Sequence, residues 1–348
     1  MDMSNNEKGI SISGFPENTI KFSTLKYLQR NVSDLCARLP VEFKNRDDWE
    51  KYRTGFRGKL KELLPVYEPR GQRPDYVILQ SDLSSDLVYE STAVNFDSDF
   101  YISINIYRPK VCENKLPAVL VCPGYGQPKN DGNIADMCMA LAKKDIIAVT
   151  LDYPGVGEAA DRPDVLTNTN NIAAVANLIG VNDVGLRVMS NLAILRYLKT
   201  LKYIEQSRIG ITGICQGSIV LWYTAALCED FAAIAPVCGT TTYEAEVLEY
   251  TNRQGGWTGI TPFVFNMLKY GDVQHLYGCF APRPLFVQSN IIDRHWPHSG
   301  FEKVRLFVQK VYRLYGASDK QKFLFEHEPH AYAGVFINNL TEWFGNVL

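Results

Sequence analysis

The sequence predicts an α/β fold, a mostly parallel sheet with helices on both faces, preceded by an N-terminal helical extension. Three observations carry that prediction. From about residue 117 onward, short apolar runs alternate with longer stretches in which apolar residues recur every three or four positions. Those runs are continuous rather than alternating, as in strands covered on both faces of a parallel sheet. Between about 73 and 109, segments rich in β-branched and aromatic residues follow one another without a helix, which predicts an antiparallel start to the sheet.

Taken in order, residues 21 to 65 read as two helices, KFSTLKYLQRNVSDLCARL and DDWEKYRTGFRGKLKELL. Asp47 or Asp48 is the expected cap of the second, and Pro65 with the Pro69-Arg70-Gly71 turn closes it. Residues 1–72 are thus an N-terminal helical extension and 73–348 the main domain. The strands YVILQ, LVYESTAVNF and FYISINIYRP come first. PAVLVCPG then leads to a helix over IADMCMALAKK, and IIAVTLDYPG to one over VGLRVMSNLAILRYLKTL. RIGITG leads to a helix from about Cys215, and FAAIAPV, PLFVQS and KFLFEHE complete the sheet, with FEKVRLFVQKVYRLYG as a helix between the last two. Two stretches break the alternation, 160–182 and 240–272. Both fall on the carboxyl edge of the sheet, where open α/β sheets bind their ligands, so they are expected to be cap segments of a pocket.

Composition removes several function classes. Of 348 residues, 46% are hydrophobic and 21% charged, enough for a sizeable core. A net charge of −2 and the absence of a basic run speak against nucleic acid and anionic membranes as partners. The first twenty residues carry no apolar h-region, and no apolar stretch reaches the roughly 18 residues of a membrane span, so the expectation is a soluble, cytoplasmic protein. Eight cysteines occur without a CxxC pair, and the five histidines show no zinc-type spacing, so no metal is expected. Gly155-Val156-Gly157 lacks the third glycine of a dinucleotide fingerprint, and no cofactor is implied. Homo-oligomerisation is left open.

The most informative residues are Gly213-Ile214-Cys215-Gln216-Gly217-Ser218, directly after a strand. A strand that turns sharply into a helix needs small residues on both sides of the turning residue, whose side chain is pushed out at the helix N-terminus. A thiol there tends toward a larger thiolate fraction. Cys215 is therefore the expected nucleophile. Ser218, one turn along the helix, is the weaker alternative, and a merely buried thiol is the bland one. A nucleophile needs a base and the base an orienting acid. Asp293 follows the strand PLFVQS and His330 follows KFLFEHE, giving the chain order nucleophile, acid, base. His327 is the competing base, expected to lie within the strand; His295 and His298 follow Asp293 closely and could line the pocket. Asp152 precedes the nucleophile and is expected to hold the Asp152-Tyr153-Pro154-Gly155 turn.

For a developing oxyanion, the backbone N–H groups of Gln216 and of Tyr125, in Pro123-Gly124-Tyr125-Gly126, are the expected donors. Tyr153, Trp257, Phe263, Trp296 and Tyr332 are the candidate pocket aromatics, which would suit an apolar or cyclic small-molecule acyl substrate.

With PGYG, LDYPGVGEAAD, LAILRYLKTLKYIEQSRIGITG, GICQGS and APRPLFVQSNIIDR in view, the chain from about 73 to 348 resembles the α/β-hydrolase superfamily. More narrowly, it is similar to the acetyl xylan esterase-like and dienelactone hydrolase-like branch. The resemblance implies an α/β-hydrolase fold and acyl chemistry on a small ester, lactone or thioester through an acyl-enzyme, ending in hydrolysis or in acyl transfer or condensation. Two departures stand out. Esterases of this branch generally carry serine where this chain has Cys215, and the loop that often reads HG-x-G begins here with Pro123. The resemblance also admits a C–C bond-cleaving or cyclising hydrolase of polyketide-type biosynthesis, and the loss of serine admits a non-catalytic scaffold.

Overall fold

The computed structural model describes residues 24–65, 75–83, 86–97, 100–160, 168–249, 261–291, 293 and 296–348. Two helices, α1 (Thr24–Cys36) and α2 (Arg46–Leu63), precede the sheet. The strands are β1 (Tyr76–Leu83), β2 (Leu87–Asp97), β3 (Phe100–Pro109), β4 (Leu116–Cys122), β5 (Ile147–Leu151), β6 (Ile204–Ile214), β7 (Ala233–Val237), β8 (Leu285–Asn290) and β9 (Gln321–Glu326). The helices between and after them are α3 (Gly132–Ala142), α4 (Asn168–Leu178), α5 (Asp183–Leu198), α6 (Gln216–Leu227), α7 (Tyr243–Leu248), α8 (Val273–Gly278), α9 (His298–Leu314) and α10 (Gly334–Val347). Among the described residues the strands form one nine-stranded sheet in the order β1-β2-β3-β5-β4-β6-β7-β8-β9. The pairs up to β3–β5 are antiparallel and those from β5–β4 to β8–β9 parallel. This is the α/β-hydrolase fold, with the antiparallel start and parallel body that the sequence predicts.

Side chains along each central strand divide between two cores. Ala118, Leu120 and Cys122 of β4 join a cluster with α2, α5, α6, α8 and α9, whereas Val119 and Val121 join one with α3 and α10. A parallel strand buried on both faces has no need of polar alternation, which is why these runs are continuously apolar. The extension is fastened to the first core: α2 buries Trp49, Phe56 and Leu60. Its cap is Asn45, whose side chain accepts the Asp48 N–H at 2.9 Å, two or three residues earlier than the expected Asp47 or Asp48. The expectation missed α10, although Phe336, Leu340 and Phe344, spaced by four, are its fully buried stripe. Among the described residues no single helix is long and apolar enough to cross a membrane.

Candidate active site

Cys215 stands between β6 and α6 with φ 54°, a left-handed conformation that costs a non-glycine residue about 1–3 kcal/mol. The surroundings enforce it. A Cβ on Gly213 would lie 2.4 Å from the Gly217 carbonyl oxygen, and one on Gly217 would lie 2.2 Å from that of Cys122. Both glycines are required by close backbone approach, and the strained turn presents a partly exposed thiol at the N-cap of α6. Ser218 has a different job. Its buried hydroxyl donates to the Gly213 and Val237 carbonyls at 2.5 and 2.9 Å and accepts the Val237 N–H at 3.0 Å. It ties the elbow to β7 and is fully buried.

Asp293 and His330 come to the same edge from the ends of β8 and β9. His330 Nδ1–H donates to Asp293 Oδ2 at 2.6 Å, and the imidazole also hydrogen-bonds Cys215. The Asp293 side chain is 1% exposed, so this carboxylate has the imidazole as its route to charge balance. Burial opposes the charge on His330, but hydrogen bonds and Coulombic attraction from Asp293 and Cys215 outweigh it and raise its pKa from the ordinary 6.5 to about 10. A raised folded-state pKa stabilises fully below the unfolded value and is lost as pH rises through the folded one. The stability difference between wild type and His330→Gln is therefore expected to narrow between pH 6.5 and about 10 in denaturant titrations. A difference that stays flat across that interval would contradict the charged pair.

The loop after β4 lies against the elbow: a Cβ on Gly124 would sit 3.4 Å from that of Cys215. Gly124 N–H is held by Gln127 Oε1 at 2.9 Å, and the Tyr125 hydroxyl accepts from Thr169 and Asn170 of α4 at 3.4 Å each. Gln216, at the first position of α6, has a backbone N–H with no intrahelical acceptor. Behind the loop stands a charge cluster in which Lys129 and Asp152 are buried and Glu158 is exposed. Lys129 Nζ reaches Asp152 at 3.2 Å and Glu158 at 2.8 Å, and Asp152 also accepts the backbone N–H groups of Lys129 at 2.6 Å and Glu158 at 3.0 Å. Lys129 holds the Glu158 carboxyl below the usual carboxylate range, through that hydrogen bond above all. Asp152 is thus engaged by the 129 and 158 backbone and unavailable to His330. Nothing in the sequence singled out Lys129, a lone lysine in a polar loop.

The expected pocket aromatics separate. Tyr153 and Tyr332 are 2% and 1% exposed and belong to the two cores. Their hydroxyls meet buried partners, Asn191 for Tyr153 and Thr212 for Tyr332, each at 3.0 Å, which is why they anchor their loops instead of lining an open wall. Tyr332 fixes the segment that carries His330. Phe263 and Trp296 are partly exposed on the first core, the Phe263 ring tilted against Tyr243 at 5.8 Å and the Trp296 ring edge-on to Trp222 at 6.5 Å. Trp257 and His295 lie outside the described residues. His327 is exposed and follows β9 instead of lying within it. His298, at the start of α9, bonds the Ile291 carbonyl at 2.9 Å and packs on Phe325.

The residue that sequence reading passed over is Cys238, just beyond β7. Its sulfur, an Asp293 carboxylate oxygen and a His330 ring nitrogen lie within 4.8 Å of one another. Asp293 and His330 are spent on each other at 2.6 Å, so this donor set suits a proton relay better than an ion. In the similar cluster of Cys36, Glu244 and Asp272, the Asp272 carboxylate already accepts the Tyr243 and Val273 N–H groups at 2.8 and 2.7 Å.

Known proteins agree with this architecture. A 223-residue stretch is 23% identical to "Putative hydrolase YtaP" of Bacillus subtilis (strain 168), covering 61% of this chain and 72% of that one. The fold superposes on the crystal structure of a "putative acetyl xylan esterase" from Bacteroides fragilis NCTC 9343 with a TM-score of 0.76 and 16% identity, over 94% and 96% of the two chains. On "Methylesterase BT1017" the TM-score is 0.72 with 20% identity, over 91% of this chain and 68% of that one. The Abhydrolase family (Abhydrolase_7) model matches residues 35–333, and the chain belongs to that family, a hydrolase built on the α/β-hydrolase fold.

Proposed function

We propose that this hydrolase is a cysteine-dependent esterase or thioesterase that works through an acyl-enzyme on Cys215. The observation that carries the reading is the His330 imidazole, hydrogen-bonded on one side to the buried Asp293 carboxylate and on the other to the Cys215 thiol. The thiolate is the nucleophilic form of cysteine, and an imidazolium beside it supplies the counter-charge. Attack on a carbonyl carbon forms the S–C bond, and the oxyanion is received by the N–H groups of Gln216 and Tyr125. His330 then protonates the departing alcohol or thiol, and as the neutral base it deprotonates the water that cleaves the thioester. Asp293 keeps the proton on Nδ1, so that the other nitrogen faces the sulfur.

Ester substrates are supported by the names of the structural relatives, a "putative acetyl xylan esterase" and a methylesterase. A thioester intermediate extends the reading to lactones, thioesters and acyl acceptors other than water. The retained pairing of His330 with Asp293 favours an enzyme over an inert scaffold, because an isolated buried carboxylate would be costly to keep. Asp293→Asn is expected to lower kcat for a short-chain aryl ester by about a hundredfold, the low end of what a positioned acid–base pair contributes. Unchanged kcat in a folded Asp293→Asn protein would remove the acid from the mechanism.

A further inference from the structure

We propose that Cys238 is the resolving partner of Cys215, and that a peroxide converts the two into a disulfide that reversibly switches the site off. The inference rests on the reactive thiol proposed above and adds a modification site to it. Ile214 and Val237 are partners in the parallel β6–β7 ladder, and the Cys215 N–H donates to the Val237 carbonyl at 3.1 Å. Cys215 and Cys238 are therefore the next residues on neighbouring strands. Such strands run about 4.7–4.9 Å apart, inside the roughly 4.4–6.8 Å Cα separation of disulfides. Both residues turn out of the sheet with positive φ, 54° and 44°. The chain after Cys238 also presses on the elbow, since a Cβ on Gly239 would meet the Cys215 carbonyl oxygen at 2.8 Å. One imidazole serves both sulfurs: His330 bonds Cys215 and lies within 4.8 Å of Cys238.

The plain alternative is that Cys238 is a small buried apolar residue, as Cys138 and Cys279 are. Cys279, just after α8, belongs to the opposite core, and Cys138 lies in the same core as Cys215 but on helix α3, not on a strand beside the elbow. Cys122 ends a neighbouring strand, but it pairs with Gly213, and its thiol turns to Asn191 in the opposite core. Cys238 shares with Cys215 the core of α3 and α10. Burial, with Asp293 and Cys215 nearby, pushes the Cys238 thiol up, so it waits in the protonated state until the first oxidation has occurred.

The chemistry closes with hydrogen peroxide as oxidant. The Cys215 thiolate attacks one peroxide oxygen; the S–O bond forms, the O–O bond breaks, and the departing hydroxide takes the His330 proton and leaves as water. Neutral His330 then accepts the Cys238 proton as that sulfur attacks the sulfenic sulfur. The S–S bond forms, the S–O bond breaks, and the second hydroxide leaves as water with the same proton. Two thiols lose two electrons, and one peroxide becomes two waters.

The test treats the reduced full-length protein with hydrogen peroxide, blocks free thiols with N-ethylmaleimide, and maps disulfides by mass spectrometry of an unreduced digest. A peptide linking Cys215 to Cys238 is expected, with activity lost in parallel and restored by dithiothreitol. In Cys238→Ala, or in Cys238→Ser if that folds better, prolonged peroxide should carry Cys215 to sulfinic acid and cut the recoverable share of activity several-fold. Sulfinic acid on wild-type Cys215 with Cys238 still alkylated by maleimide would overturn the pairing. Inertness of Cys215 to both peroxide and iodoacetamide would instead remove the reactive thiol itself, a failure of the parent reading.

Discussion

Cys215→Ala is expected to lower kcat by at least about ten-thousandfold while leaving the fold intact, because the nucleophile is the one group whose removal no neighbour replaces. Cys215 is partly exposed and its side chain makes no N-cap bond to α6, so truncation opens no closed cavity and strands no partner within the helix. Labelling by iodoacetamide should vanish with it. Ser218→Ala makes the contrast. Its hydroxyl joins the Gly213 and Val237 backbones, so losing it is expected to cost about 1–3 kcal/mol of stability with labelling of Cys215 retained. Chemical denaturation and steady-state kinetics on the same preparations separate the two outcomes. Substantial turnover in Cys215→Ala, or loss of labelling in a folded Ser218→Ala, would move the nucleophile elsewhere.

The second large effect is expected behind the loop proposed to receive the oxyanion. The side chains of Lys129 and Asp152 are 5% and 1% exposed, so Lys129→Met would leave a buried carboxylate facing a methyl group. Removing one partner of a buried pair costs about 3–5 kcal/mol; about 3 is expected here, since Asp152 keeps the Lys129 and Glu158 N–H donors. The loop that carries Tyr125 is hinged on this residue, so kcat should fall along with stability. Lys129→Met combined with Asp152→Asn removes the stranded charge and is expected to recover part of the stability. If the single variant unfolds at the wild-type denaturant concentration, the cluster is not what holds the loop.

Much of this architecture was legible in the sequence, for physical reasons. Continuous apolar strands announced a sheet covered on both faces, and Gly213 and Gly217 announced a turn with no room for a Cβ. The chain order Cys215, Asp293, His330 followed from which strand each residue terminates, and the structure brings these three side chains together. What escaped lies across the chain instead of along it. Tyr153 and Tyr332 sit near the expected edge in sequence, but only the fold reveals Asn191 and Thr212 waiting for their hydroxyls. Asn45 supplanted Asp47 and Asp48 as the cap of α2 because a boundary shift of two or three residues is beyond what periodicity resolves. Cys238 was not singled out among the eight cysteines, since its closeness to Cys215 arises from strand pairing 23 residues apart in sequence.

The proposed chemistry passes through a covalent acyl intermediate at one sulfur, and that intermediate can be weighed. Full-length protein mixed with an activated short-chain ester and quenched in acid should gain the mass of one acyl group. A digest should place it on the peptide containing Cys215, and neutral hydroxylamine, which cleaves thioesters, should remove it. An acyl group found on Ser218 or any other residue, or turnover of the ester with Cys215 never acylated, would contradict the proposed chemistry.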